Sequence, residues 1–544
     1  MRSVALVCLD PSNQIPGWAL GKQIACAPTP GGLSSCLDSH LQATDADACL
    51  FWDPTLGLPD QDLILALLAQ PADVWHAGLK LGLARKPGLI DYVAPTWMLN
   101  RDPAPTIEAT SWRLSLRACL VRTSVLHQLG GPDPGFETLA GAGLELGYRY
   151  IRRGAFVRHV PALIKGPVSL PKPDIPMDDQ LRFIHLGFGK KWLTWAIIRA
   201  LLNHKEKPRF KTCLHFLQAV KPHELQPYKH NFQLDKTPIN NARVTVLIPT
   251  VDRYPYLRTL LAQLGAQSHP PFEIIIVDQT PLKDRDLKLV EDYPNLPIRL
   301  FNLDRAGQCS SRNLGLQQAQ GDFIYFIDDD DEIPPAAIAA HLQALASLQV
   351  NISNGVAHEV GAGDLPAHFR FMRISDVFPT NNTLVRKNSL HKSGLFDLAY
   401  DHGQRADHDL GMRLYLSGEM MVLVPWIDVL HHHAPVGGLR EHKARVDTYA
   451  ASRSRIFKSN LPTISDIYLA KRYFTPSQAR EMLWISVLGT FSIKGSGLKK
   501  LLKMLVSLLS LPKNLWQVNL RRKMAEKLLL KYPEIPQFDP GANA

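Results

Sequence analysis

Four consecutive aspartates, Asp328 to Asp331, follow the short apolar run Phe323 to Ile327, and Pro334 and Pro335 come after Glu332 and Ile333. An apolar run of that length reads as a buried strand, and the prolines stop it from continuing. Four like charges at the end of a buried strand repel one another and stay ionised only if something cancels them. A divalent cation held by carboxylate oxygens does so, and bound to a diphosphate it also serves substrate chemistry. Taken alone, such a run reads as well as a solvated acidic turn. Other groups able to do chemistry are Thr250, Asp252 and Asp278, then Arg312, the helix segment Asp407-His-Asp409, and His431-His-His433.

The elements that must position them follow from the apolar pattern. Arg243 to Pro249 reads as a first strand and Tyr256 to Gln267 as a helix; Glu273 to Val277 is a second strand ending at Asp278. Ile298 to Asn302 is a third, and Arg305 to Gly315 opens another helix. A strand at Met421 to Val424 and a Pro425-Trp426 turn precede the histidines. Strands alternating with helices imply a mostly parallel sheet with ligands at the carboxyl ends of its strands. Thr250, Asp252, Asp278 and the aspartate run all fall at such ends.

With these pieces in place, residues 243 to 450 resemble a GT-A glycosyltransferase domain of the large inverting family 2. The resemblance is carried by Ile248-Pro-Thr250, the Val277-Asp278 strand end, Ala306-Gly307 with Ser311-Arg-Asn-Leu-Gly315, Ile327-Asp-Asp-Asp330, and Asp407-His-Asp-Leu-Gly-Met-Arg413 closed by Gly418. It implies an α/β nucleotide-diphospho-sugar transferase sandwich that moves a sugar from a nucleotide-sugar donor to an acceptor hydroxyl, with Mn²⁺ or Mg²⁺ as cofactor. The acceptor would be a glycan or lipid-linked glycan, in a surface-glycan pathway.

Carried over residue by residue, Thr250, Asp252, Asp278, Arg312, Asp328 and Asp329 would bind the nucleotide-sugar. Asp328, Asp330, His431 and His433 would be the metal set, with Asp330 on the ion directly and Asp328 facing the ribose or reaching the ion through water. A structural role for the histidines stays open. Asp252-Arg253 stands where the family has Asn-Arg, and Ala406 where it has glutamate. Asp407 is the candidate base. Asp409 competes, but residues two apart on a helix point about 200° from each other, so only one can face the sugar. Gly437 to Arg440 reads as a lid or as a plain turn.

The front of the chain repeats this pattern. Cys119-Leu-Val-Arg122 with Leu126, His127 and Gly130 matches Thr383-Leu-Val-Arg386 with Leu390, His391 and Gly394, at an offset of 264. Glu145 and Arg149 fall on Asp409 and Arg413 at the same offset, while Leu50-Phe-Trp-Asp53 falls on Tyr325-Phe-Ile-Asp328 at 275. Two registers, each held by several identities, imply an internal duplication. The front copy kept packing and lost polar groups. Pro54 and Thr55 replace Asp329 and Asp330, Gly143 replaces Asp407, Leu37 and Asp38 replace Arg312 and Asn313, and Pro167 to Ser169 replace the histidines. It reads as inactive, and as too short before Asp53 to hold the strands that carry a nucleotide base. Position 409 stays acidic in it as Glu145, whereas 407 does not, which makes Asp409 structural, paired with Arg413 at i+4. The chain therefore divides into a degenerate GT-A-like domain (1–168), a helical linker (169–240), a catalytic GT-A domain (241–450) and a basic helical region (451–544).

Composition agrees. The 544 residues are 45% hydrophobic and 20% charged, as in a soluble globular chain of two domains, and no stretch nears the roughly 18 apolar residues of a membrane span. Met1 to Asp10 reads as a strand rather than a secretory signal. Seven cysteines without a Cys-x-x-Cys pair suit buried thiols in a reducing compartment, so a cytoplasmic setting is expected. The net charge of +11 gathers near Lys494 to Lys531, where leucines and lysines recur at helical spacing. That helix reads either as lying on an anionic membrane surface, at the inner face of the cell membrane, or as packed on its own domain. No zinc-finger, RRM or helix-turn-helix pattern accompanies the charge, and nucleic acid is not an expected partner. Asp328 to Ile333 lacks the Asp-x-Asp-x-Thr/Val of a haloacid-dehalogenase-type phosphatase. Thr250 to Pro255 lacks the Gly-rich phosphate loop of a nucleotidyltransferase. A decayed sugar-binding scaffold of the same fold is the remaining alternative.

Overall fold

A computed structural model describes residues 2–12, 14–40, 46–166, 173–203, 207–219, 225–231, 241–435, 437–438, 456–494 and 497–538. The front unit contains β1 (Val4–Cys8), β2 (Gln23–Ala25), α1 (Pro30–His40), β3 (Ala48–Trp52), α2 (Gln61–Ala69), β4 (Val74–His76), β5 (Ala109–Thr110), β6 (Ala118–Arg122), α3 (Thr123–Leu129), α4 (Leu139–Arg152) and β7 (Val157–His159). Three helices follow, α5 (Met177–Phe188), α6 (Lys190–Asn203) and α7 (Phe210–Gln218). The second unit runs through β8 (Val244–Thr250), α8 (Tyr254–Gly265), β9 (Glu273–Asp278), β10 (Ile298–Asn302), α9 (Gln308–Gln318), β11 (Phe323–Phe326), β12 (Asp331–Glu332), α10 (Ala337–Leu348) and β13 (Ile352–Glu359). It ends with β14 (Arg373–Ile374), β15 (Thr383–Arg386), α11 (Lys387–Ser393), α12 (Ala406–Leu416) and β16 (Met421–His431). The last helices are α13 (Ile464–Tyr473), α14 (Pro476–Gly489) and α15 (Gly497–Lys531).

The second sheet has the order β10-β9-β8-β11-β15-β13-β16-β12, with β14 beside β16. β8, β9, β10 and β11 are parallel neighbours, so their carboxyl ends share one edge. The inner strands β8 and β9 are buried along almost their whole length, which is why they read as continuous apolar runs. Gly315 lets α9 approach β8, since a Cβ there would lie 2.2 Å from a Leu247 methyl.

The front sheet, β2-β1-β3-β6-β4-β7-β5, has the same core order and directions. Phe51 pairs antiparallel with Cys119 where Phe326 pairs with Thr383, and Trp75 pairs parallel with Arg158 where Ser353 pairs with Val422. The offsets of 275 and 264 therefore hold in the β3–β6 and β11–β15 register, while β4 falls on β13 at 278. One expectation is corrected. The segment before Asp53 does hold two strands, with β1 and β2 standing where β8 and β9 stand. They fit because a loop replaces the helix that joins β8 to β9, and no counterpart of β10 is present among the described residues.

The expected Pro425-Trp426 turn is instead a bulge inside a longer strand. β13 and β16 pair from Asn354–Leu423 to Val356–Asp428, a register shift that accommodates the proline without a ladder N–H. The Asn382 amide fills the gap by donating to the Val356 and Ile427 carbonyls. The units meet through the Trp97 indole on Asp376 (2.7 Å) and the Tyr415 hydroxyl on the Arg101 carbonyl (2.8 Å). All seven cysteines are free thiols, and among the described residues no helix is long and apolar enough to cross a membrane.

Candidate active site

β11 ends at Phe326, and the aspartate run turns through the carboxyl edge of the parallel strands before Asp331 joins β12. β12 pairs antiparallel with the end of β16, opposing Asp331 to His431. That pairing assembles the site. The Asp331 carboxylate accepts from His431 Nδ1 at 2.7 Å and from the Asp328 N–H at 3.0 Å. One ligand atom each from Asp328, Asp331 and His431 lies within 4.8 Å of the other two. Asp330 Oδ1 is buried, 3.8 Å from His431 Nδ1 and 3.1 Å from Arg253 Nη1. Burial alone would lower the His431 imidazole, but its bond to Asp331 outweighs that and pushes it up to about 9.

The expected need for a neutralising charge is met in part by the protein. Arg253 lies 2.9 Å from Asp329 and 3.1 Å from Asp330, and Arg312 Nη2 lies 2.9 Å from Asp328. Burial pushes the Asp329 carboxyl up to about 7 against the pull of Arg253. The Thr250 hydroxyl donates to Asp329 at 2.8 Å, so it braces the aspartates from the end of β8. Gly437 and Gly438 have left-handed φ of 74° and 70°, and a Cβ on Gly438 would lie 2.5 Å from the Arg253 guanidinium. Leu439 and Arg440, the rest of the expected lid, lie outside the described residues, as do Pro167 to Ser169.

Other expected residues occupy different surroundings. Asp278 is buried, accepting from the Tyr254 hydroxyl at 2.6 Å and the Thr280 N–H at 2.8 Å. Asp252 is exposed at φ 52°, with its N–H on Thr280. His433 faces Glu359 at 3.3 Å, and its ring lies edge-on to His431 with centroids 4.3 Å apart. Arg312 sits in the second turn of α9, but the first N–H groups of that helix, from Cys309 and Ser310, are capped by Asp401.

Asp407 lies at the start of α12, a third exposed. Its Oδ1 is 2.9 Å from His408 Nδ1, whose Nε2 is 3.0 Å from Arg405. Burial would raise the carboxyl, but His408 and Arg405 outweigh it and hold the group down at about 2, so it is ionised at neutral pH. Arg405, at φ 78°, is fixed by Asp466 of α13 at 2.6 Å. Asp409 is fully buried, bonded to Arg413 at 2.8 Å and to the Tyr473 hydroxyl at 2.6 Å. Glu145 and Arg149 repeat that pair in the front unit at 2.9 Å.

Sequence reasoning missed three residues: Arg253, for which the Asn-Arg family pair was the available signal, and His408 and Asp401, which carried none. Asp409→Asn removes one half of a buried pair and should lower the unfolding free energy by about 3–5 kcal/mol in a urea melt. Loss of transfer without loss of stability would instead make Asp409 the base.

An open mixed sheet with a carboxylate–imidazole cluster at the carboxyl edge of its parallel strands is the architecture of the GT-A fold. Residues 245–395 match the Glycosyl transferase family 2 family, and the second unit carries a domain of that family. The chain is 37% identical over 168 residues to the uncharacterized glycosyltransferase YwdF of Bacillus subtilis, covering 28% of this chain and 62% of that protein. It is 34% identical over 96 residues to the poly(ribitol-phosphate) beta-N-acetylglucosaminyltransferase TarS of Staphylococcus aureus, 17% of either chain. A crystal structure of S. aureus TarS 1-349 in complex with UDP-GlcNAc aligns with a TM-score of 0.35 at 18% identity, over 55% of this chain and 97% of that one. The chain thus spans less than two thirds of the length of these two relatives.

Proposed function

We propose that the second unit, residues 241–450, transfers a sugar with inversion from a nucleotide-diphosphate sugar to an acceptor hydroxyl. The observation that carries this reading is the grouping of Asp328, Asp331 and His431 at the strand edge. Two carboxylates and an imidazole suit Mn²⁺, which takes oxygen and nitrogen donors, or Mg²⁺ with water completing its shell. Asp330 Oδ1, 3.8 Å from His431 Nδ1 and ion-paired with Arg253 at 3.1 Å, lies beside the same group. The bound cation would supply Lewis-acid neutralisation of charge on the leaving diphosphate. Arg312 and Arg253 hold the surrounding aspartates in place and add positive charge on the donor side. Asp407 takes the proton of the acceptor hydroxyl at a carboxylate oxygen, while Arg405 and His408 orient that carboxylate. Thr250, Asp329 and Asp278 act as braces around the nucleotide.

The front unit, residues 1–168, is a decayed copy. Its one remaining aspartate of the run, Asp53, is paired with Arg117 at 2.6 Å and accepts from Thr55 at 2.6 Å, which leaves no charge for a cation to cancel. The acceptor is a glycan or lipid-linked glycan of a surface-glycan pathway, met from the cytoplasmic side at an anionic membrane surface.

A screen of UDP-, GDP- and dTDP-sugars, beginning with UDP-N-acetylglucosamine because of the TarS relative, tests the reading with and without chelator. Turnover should require the cation, and Asp53→Ala should leave kcat within a few-fold, since that carboxylate belongs to the front unit and is already paired with Arg117. Donor binding without any turnover would turn the reading to a sugar-binding scaffold.

A further inference from the structure

The helix α15 is amphipathic with its polar side turned inward. Lys503, Ser507, Asn514 and Val518 are buried, and at 3.6 residues per turn they fall on one face. Lys503 donates to the Ile456 and Lys458 carbonyls at 2.8 and 2.7 Å, and the Ser507 hydroxyl donates to the Thr490 carbonyl at the end of α14 at 2.8 Å. The opposite face carries Leu498, Leu501, Leu505, Leu508, Leu509 and Trp516, exposed by 50 to 83%. A soluble chain gains by burying such residues, and an exposed apolar stripe of this kind marks an interaction surface.

Two further helices expose apolar side chains. Arg199 of α6 is ion-paired to Glu481 of α14, and these helices expose Leu201, Leu202, Trp484 and Leu488. Basic side chains are exposed around the stripe: Lys513 and Lys523 fall on the leucine side of α15 by the same period, Lys499 and Lys500 nearer its inward side, and Lys190 and Lys191 open α6. Leucines flanked by lysines, with a tryptophan at the boundary, are the chemistry of a helix lying in the headgroup region of an anionic bilayer. No helix among the described residues is apolar and long enough to cross one.

We infer that the leucine face of α15, with the exposed ends of α6 and α14, docks this protein flat on an anionic lipid surface. This gives the acceptor setting proposed above a physical address. It is read without donor or acceptor, so its failure leaves the transfer chemistry standing.

The test is flotation of the full chain with vesicles of phosphatidylglycerol and phosphatidylcholine, against phosphatidylcholine alone. Wild type should bind only the anionic vesicles and be released at high salt, because the charge term is screened. Each lysine near such a surface is worth about fivefold in partition, so Lys513→Gln with Lys523→Gln should weaken binding about 25-fold. Leu505→Gln with Leu509→Gln should abolish it. Both pairs meet solvent in the protein, so thermal melts and soluble donor hydrolysis should stay unchanged. Binding that ignores lipid charge or survives the leucine substitutions overturns the inference. So does a wild-type dimer that the leucine substitutions split and that binds no vesicle, because the face would then meet a second copy of the chain.

Discussion

Asp407→Asn should cut kcat by about 10²–10⁴-fold, the usual contribution of a general base, while donor affinity stays within a few-fold. The amide keeps the shape of the carboxylate and its contact to His408 but cannot accept a proton. Steady-state transfer and donor titration by calorimetry separate the two quantities. The substituted side chain lies a third exposed at a helix start, so the fold should tolerate it. His408→Ala offers an internal check. Without the imidazole, the Asp407 carboxyl loses the largest influence holding it low, so its pKa should rise toward the ordinary carboxylate range. The acid limb of kcat/KM should move up with it, whereas a purely structural role for His408 would leave the limb in place. A mild effect of Asp407→Asn on kcat would place the base elsewhere.

The strands of the second unit are legible because buried apolar runs end in charged residues. Val244–Thr250, Glu273–Asp278 and Phe323–Phe326 each stop at or just before a polar residue, Thr250, Asp278 and Asp328. β2 is not legible, since three residues carry no periodicity and its place is set by pairing with β1. The site is legible as a set of residues but not as a geometry. Which aspartates face His431 depends on the β12–β16 pairing, made between residues a hundred positions apart, and nothing local in four identical aspartates announces it. Asp278 carried the signal of a ligand contact because it ends a strand, yet Tyr254, on a separate element, takes up its carboxylate. For α15 the periodicity placed the leucines on one face. Only the carbonyls that receive Lys503, some 45 residues upstream, decide that this face points outward.

Those geometric differences give the metal set a sharp test. Asp331→Ala and His431→Ala should each weaken Mn²⁺ binding by at least about 10–100-fold, the range seen even for residues that only orient metal ligands. The measurement is Mn²⁺ titration by electron paramagnetic resonance on the free protein, which needs no donor and no turnover. His433→Ala should do much less, because its ring faces Glu359 and lies edge-on to His431, outside the Asp328, Asp331 and His431 group. Asp330 is the discriminating position. Its Oδ2 accepts the Ala434 N–H at 2.8 Å while Oδ1 faces Arg253 at 3.1 Å and lies 3.8 Å from His431 Nδ1. If Oδ1 ligates the ion, Asp330→Asn should lower Mn²⁺ affinity as much as His431→Ala does and leave the Ala434 contact intact. If Asp330 serves only to hold the 430s strand end and Arg253, the same substitution should cost stability and spare the ion. Unchanged Mn²⁺ affinity in both Asp331→Ala and His431→Ala would remove this cluster as the cation site. The transfer reading would then have to stand on Asp407 and the family resemblance alone.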